Sequence, residues 1–139
     1  MRAAIADTGP LVAFLDRSER HHLWTAERVQ ELDAPLLVCE PVLAEAMYLL
    51  GRYSRGQDAL LGLLENGALS IAFHIHEHIA DLRKLHRKYR DRPMSLADAC
   101  IVRMAEIYDQ HAVLTLDSDF AVYRKHGSVA LTLIHPTAG

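Results

Sequence analysis

The sequence predicts an α/β domain with a central, mostly parallel sheet and helices on both faces. Three observations carry that prediction. Short apolar runs at 3–6, 36–39 and 112–115 are too brief for helices. The longer stretches between them place apolar residues at helical spacing among charges. Turn-forming residues separate the two kinds of segment, and buried strands alternating with helices imply a parallel sheet covered twice. The 139 residues fit one domain, 1–139, large enough to bury a core without staples. No internal repeat, low-complexity tract or linker interrupts it.

Ala3-Ala4-Ile5-Ala6 forms the first strand, ended by Asp7-Thr8-Gly9-Pro10, where Thr8 can cap a helix and Pro10 suits its first turn. Leu23, Trp24, Val29 and Leu32 give an amphipathic helix over His21 to Leu32. Leu36 to Cys39 is a buried strand, Pro41 to Tyr53 a third helix, and Gln57 to Glu65 a fourth, closed by Asn66-Gly67. Leu69 to Ile75 reads as a strand and His76 to Tyr89 as a basic amphipathic helix, broken at Asp91-Arg92-Pro93. A nearly all-apolar helix runs from Ser95 to Tyr108, and Ala112 to Thr115 is a strand ending at Asp117. A last helix and a last strand, Val129 to Ile134, finish the chain.

Half the residues are apolar and about a quarter charged, a balance that excludes disorder. The net charge of −3 excludes whole-molecule attraction for nucleic acid, so any polyanion must be held by a local patch or through a metal. Cys39 and Cys100 sit in apolar surroundings without a CxxC pair, and read as buried thiols in a reducing compartment. Asp7 and Asp16 interrupt the first apolar stretch, against a signal peptide, and no segment reaches the about 20 apolar residues that span a bilayer. A cytoplasmic protein with no membrane partner is expected.

The chemistry lies in four acids. Asp7, Glu45, Asp98 and Asp117 each stand alone at the end of, or inside, an apolar run, where a carboxylate has no evident structural use. Burying an ionised carboxylate without a partner costs several kcal/mol or shifts its pKa until it is neutral. In open parallel sheets, functional groups gather beyond the carboxyl ends of the strands where strand order reverses. Asp7 and Asp117 follow strands, while Glu45 and Asp98 lie about one turn into helices, so all four can face that edge. Each close pair would repel by about 4 kcal/mol at an effective dielectric near 20, and a cation resolves the conflict. Oxygen-only ligands favour Mg²⁺ or Mn²⁺, which suits phosphodiester hydrolysis. The competing account has each acid acting alone, as a cap or in a private salt bridge. Thr8, Ser95 and Thr115 are placed to hydrogen-bond the acids or a metal water, or to serve as plain caps.

At these residues the chain resembles the PIN-domain family, in particular the VapC-like toxins of type II toxin–antitoxin pairs. The matching pieces are Ile5-Ala6-Asp7-Thr8-Gly9-Pro10-Leu11, Val42-Leu43-Ala44-Glu45, Ser95-Leu96-Ala97-Asp98-Ala99 and Leu114-Thr115-Leu116-Asp117-Ser118-Asp119-Phe120. Each is short, but their order and spacing cover nearly the whole chain. The resemblance implies a three-layer α/β/α PIN-like fold and Mg²⁺- or Mn²⁺-dependent endoribonuclease activity on an RNA substrate. It also implies homodimerisation and a cognate antitoxin. Asp7 and Asp98 then resemble the principal metal-binding acids, with Glu45 and Asp117 completing the pocket and Asp119 competing with Asp117 for the fourth place. A non-catalytic PIN-like module that binds RNA or protein is the alternative, against which the intact acid set argues. A Mg²⁺ phosphatase would need an Asp-x-Asp pair after the first strand, where Thr8-Gly9 follows Asp7 instead.

Arg83, Lys84, Arg87, Lys88, Arg90 and Arg92 put six of the fifteen basic residues just before Asp98. They form either a phosphate-holding rim or a solvated helix face. His74, His76 and His78 alternate, but a zinc site would need further ligands that a strand running into a helix separates. Tyr48, Leu49, Tyr53, Leu60, Leu61, Leu63 and Leu64 form an apolar helix pair expected mainly in the core, with some free for partners.

Overall fold

The computed structural model describes residues 2–52 and 54–137. β1 (Ala4–Ala6) runs into α1 (Thr8–Leu15) and α2 (His22–Gln30); β2 (Leu36–Val38) leads to α3 (Glu40–Leu49) and α4 (Ser54–Glu65). β3 (Leu69–Ile71), α5 (Ile79–Lys88), α6 (Leu96–Ile107) and β4 (Ala112–Leu114) follow. The chain closes with β5 (Arg124–Lys125), β6 (Val129–Ala130) and β7 (Leu133–Ile134).

Five strands form one sheet in the order β3-β2-β1-β4-β7, and every neighbouring pair is parallel. Successive crossovers step from β1 outward to β3, and then the chain returns past β1 to β4. Right-handed crossovers in opposite directions put their helices on opposite faces. Accordingly α1 packs with α2 and α4, while α6 lies against β1 and β4 with α5 upon it. This is the three-layer α/β/α arrangement. The reversal falls between β1 and β4, and the edge beyond their carboxyl ends is where functional groups gather in open parallel sheets.

The three central strands are buried along their whole length, as strands covered on both faces must be. Ile5, Val38, Val113 and Leu114 are fully buried, and α6 contributes Cys100, Ile101, Val102 and Met104 to the same core. Each such aliphatic side chain stabilises the fold by about 1.5–3 kcal/mol through removal from water.

Several segments differ from expectation. The cap of α1 is Asp7, whose Oδ1 accepts from the Thr8 N–H, so Thr8 is the first helical residue. The strand expected over 69–75 stops at Ile71, and a 3-10 turn, Ile75–His78, precedes α5. Here His78 stacks on the buried Phe73 at 4.7 Å and its Nδ1 accepts from Arg103 Nε at 3.2 Å; tertiary packing takes over what alternation suggested. The last helix is only a 3-10 turn, Ser118–Ala121. The last strand is split: β6 pairs antiparallel with β5 as a hairpin, and β7 joins the main sheet. Gly127, at φ 83°, supplies the left-handed turn of that hairpin.

The apolar pair α3–α4 divides. Leu60 is fully buried and Leu63 and Leu64 are partly so, but Tyr48, Leu49 and Leu61 are exposed. Tyr53 lies outside the described residues.

Candidate active site

Asp7 is the residue on which the site is built. It follows β1 directly, its backbone N–H donates to Leu114 O on the neighbouring β4, and its side chain is buried at 7 % exposure. Both carboxylate oxygens are held: Oδ1 by the Thr8 N–H (2.7 Å), Oδ2 by the Thr115 hydroxyl (2.8 Å). Thr115 Oγ1 in turn accepts from the Asp117 N–H at 2.9 Å. An ionised carboxylate can only accept, so the hydroxyl donates to Asp7 while accepting from that amide, and one fully buried threonine ties the ends of β1 and β4 together. Gly9 lets α1 close on this segment, since a Cβ there would lie 3.3 Å from Leu116 Cβ.

Asp98 enters from the other face, on the first turn of α6. Ser95 caps that helix in a reciprocal capping box: Ser95 Oγ accepts from the Asp98 N–H (3.0 Å) and Asp98 Oδ2 accepts from the Ser95 N–H (3.1 Å). The same Oδ2 accepts from the Tyr123 hydroxyl at 3.3 Å. Asp117 caps the 3-10 turn after β4, its Oδ1 accepting from the Asp119 N–H at 2.9 Å.

These acids sense one another. Burial raises the pKa of Asp7 from 3.8 to about 6, against the lowering effect of Thr8 and Thr115, and the charges of Asp98 and Asp117 push it further up. Asp98 is also raised, first by burial and then by Asp117, with Ser95 and Tyr123 opposing. Burial likewise pushes the Tyr123 hydroxyl above its ordinary range, aided by Asp98, Asp119 and Asp117, so it stays a neutral donor at physiological pH. Three of the four sequence-derived acids are therefore electrostatic neighbours. Asp117 acts on both Asp7 and Asp98, whereas Asp119 acts on Tyr123. Glu45 is exposed on α3, between buried Leu43 and Ala46, and is not among the charges that shift Asp7 or Asp98.

Among the described residues no three His, Cys, Asp or Glu side chains stand close enough together to hold a metal ion by themselves. The donor set suits a hard cation that keeps most of its waters: carboxylates only, mutually repelling, at the mouth of a parallel sheet. Behind it, Cys39 caps α3 and Cys100 sits in α6, both buried and unpaired by disulfide. A hydrogen bond from the Cys100 thiol lowers the pKa of Cys39, while that bond and burial raise Cys100.

Tyr123 is the site residue that sequence reasoning missed. Its signal is modest, an aromatic three residues after Phe120 in the segment following Asp117, and nothing local ties it to Asp98. The basic run is exposed along α5 and the turn after it. The Lys88 ammonium lies 5.3 Å over the Tyr89 ring, and Tyr89 meets Tyr123 edge-on at 5.0 Å. The basic end of α5 is thereby linked, through Tyr89, to the ring whose hydroxyl donates to Asp98.

The PIN-domain family model matches residues 4–126. Ribonuclease VapC26 of Mycobacterium tuberculosis is 32 % identical over 134 residues, covering 94 % of this chain and 98 % of the relative. In the crystal structure of Mycobacterium tuberculosis VapC20, a sarcin–ricin loop cleaving toxin, the same fold recurs with a TM-score of 0.77 at 15 % identity, covering 86 % of this chain and 94 % of that one. A toxin–antitoxin complex from Klebsiella pneumoniae aligns with a TM-score of 0.64 at 21 % identity, covering 86 % and 91 %.

Proposed function

The chain belongs to the PIN-domain family, and from that premise we propose that it is an endoribonuclease, the toxin of a type II toxin–antitoxin pair, hydrolysing RNA phosphodiester bonds with Mg²⁺ or Mn²⁺. One observation carries this reading: at the switch point of the sheet Thr115 joins Asp7 to the Asp117 backbone, and Tyr123, from the segment after Asp117, donates to Asp98, so three distant stretches of sequence are tied together there. The extent and identity of the match to a ribonuclease support it.

Asp7 and Asp98 would hold the cation, with Asp117 and the exposed Glu45 of α3 helping to orient water or a second ion. When bound, the cation lowers the pKa of its water and offsets charge on the phosphate. Thr8 and Thr115 fix Asp7, and Ser95 fixes Asp98, so the carboxylates are oriented before substrate arrives. The basic residues of α5 would hold the RNA backbone. The same reading carries a homodimer, a cognate antitoxin and a cytoplasmic setting. Exposed Tyr48, Leu49 and Leu61 supply apolar surface of the kind a protein partner covers.

The test is cleavage of a labelled RNA by the wild type and by Asp7→Asn and Asp98→Asn. Each substitution keeps shape and removes charge, so each should abolish Mg²⁺-dependent cleavage while the circular dichroism spectrum is unchanged. Undiminished cleavage by either variant overturns the assignment, and a wild type that binds RNA without cutting it favours a non-catalytic module.

A further inference from the structure

Asp98 is held by two donors on the same oxygen, and the two differ in what they fix. The Ser95 N–H belongs to the cap of α6, so it sets Oδ2 relative to that helix alone. The Tyr123 hydroxyl comes from the segment after Asp117, so it sets the carboxylate relative to the chain that leaves β4. The phenol has little freedom. Its residue is fully buried, with the ring wedged edge-on against Phe120 at 5.3 Å and 87° and against Tyr89 at 5.0 Å and 69°. Packing thus specifies the ring, and the ring specifies the carboxylate. A buried hydroxyl also needs an acceptor, and an ionised Asp98 can only accept.

We propose that Tyr123 is a positioning residue, which sets the Asp98 carboxylate against Asp7 and Asp117 in the spacing that captures a divalent cation. This rests on the metal-dependent ribonuclease reading of the pocket. Tyr123 does not touch the reacting atoms; it acts through Asp98. Loss of a hydrogen bond to a metal-binding side chain typically weakens metal affinity by about tenfold or more.

The experiment compares the wild-type chain with Tyr123→Phe and Tyr89→Phe. The second removes a hydroxyl from the touching ring, whose oxygen accepts from the Arg124 N–H and not from the acid pocket. Mn²⁺ affinity is read by electron paramagnetic resonance without RNA, and RNA cleavage is followed across a Mn²⁺ titration. Both are done at a temperature where circular dichroism shows each variant folded. Tyr123→Phe should bind Mn²⁺ about tenfold more weakly and need correspondingly more Mn²⁺ for half-maximal cleavage, with the rate recovering at saturating metal. Tyr89→Phe should match the wild type. Wild-type Mn²⁺ affinity in Tyr123→Phe overturns the proposal, as does a rate lowered equally at every Mn²⁺ concentration, which is what a purely structural role gives. If the wild type neither binds Mn²⁺ nor cleaves RNA, the reading of the pocket falls and this proposal with it. If it does both and Tyr123→Phe is indistinguishable, only the role of Tyr123 falls.

Discussion

Asp7 sets the energetic cost of the site. A carboxyl whose pKa rises on folding holds its proton more tightly in the native state, so it favours folding at low pH. That contribution is fully present below 3.8, fades as pH rises, and is gone above about 6. At neutral pH the metal-free protein therefore carries a penalty of about 3 kcal/mol at this residue. Asp7→Asn, which cannot ionise, should be more stable than the wild type in chelator at pH 7.5, by up to about 3 kcal/mol. The gap should close as pH falls toward 4. Urea denaturation at the two pH values checks this, and equal midpoints at both would contradict it. Nothing in Ile5-Ala6-Asp7-Thr8 announced how Asp7 is held, because its partner Thr115 is 108 residues away. The isolation of each acid in an apolar run was visible. Ser95 and Thr115 were visible too as hydrogen-bonding neighbours of the acids; which acid Thr115 would hold was not, since it bonds Asp7 and not only the nearby Asp117.

Among the elements, α5 and α6 show which patterns a sequence carries and which it hides. The cap of α6 was legible, since Ser95 and Asp98 have the spacing of a capping box. So was the end of α4, where Gly67 takes the left-handed turn at φ 84° that Asn66-Gly67 foretold. The start of α5 was not, because the stack of His78 on Phe73 and its bond to Arg103 are tertiary contacts. Nor was the splitting of 129–134, where Leu131, buried between two short strands, reads as a member of one long strand. If the exposed basic face of α5 holds RNA, Arg87→Ala with Lys88→Ala should weaken binding irrespective of RNA sequence. The double variant should also reduce the slope of log K against log salt by about 1.4, two phosphate contacts at about 0.7 each for a single strand. Fluorescence anisotropy at several salt concentrations measures this; an unchanged slope marks the face as merely solvated.

At the scale of the whole molecule, the sheet explains why the functional reading could be made early. Asp7 and Asp117 had only to follow neighbouring strands for the switch point to join them, and the register Ala6 to Leu114 does so. Glu45 is the exception, exposed on α3. A cation that binds the native acids and not the unfolded chain must stabilise the fold, by about 2.7 kcal/mol at one hundred times its dissociation constant. Adding Mn²⁺ should therefore raise the melting temperature of the wild type by several degrees and leave Asp98→Asn nearly unmoved. An equal rise in both would place the ion elsewhere.

The bond between Thr115 and Asp7 joins the first strand to one built more than a hundred residues later, and this fixes when during synthesis the protein becomes able to act. A growing polypeptide on the ribosome already carries Asp7, but it lacks the hydroxyl that orients it, the partner Asp117 and the adjoining strand until β4 has emerged and docked. Contacts so far apart in sequence form slowly. An enzyme proposed to attack RNA is in this way born inert, and competence arrives only with roughly its final fifth.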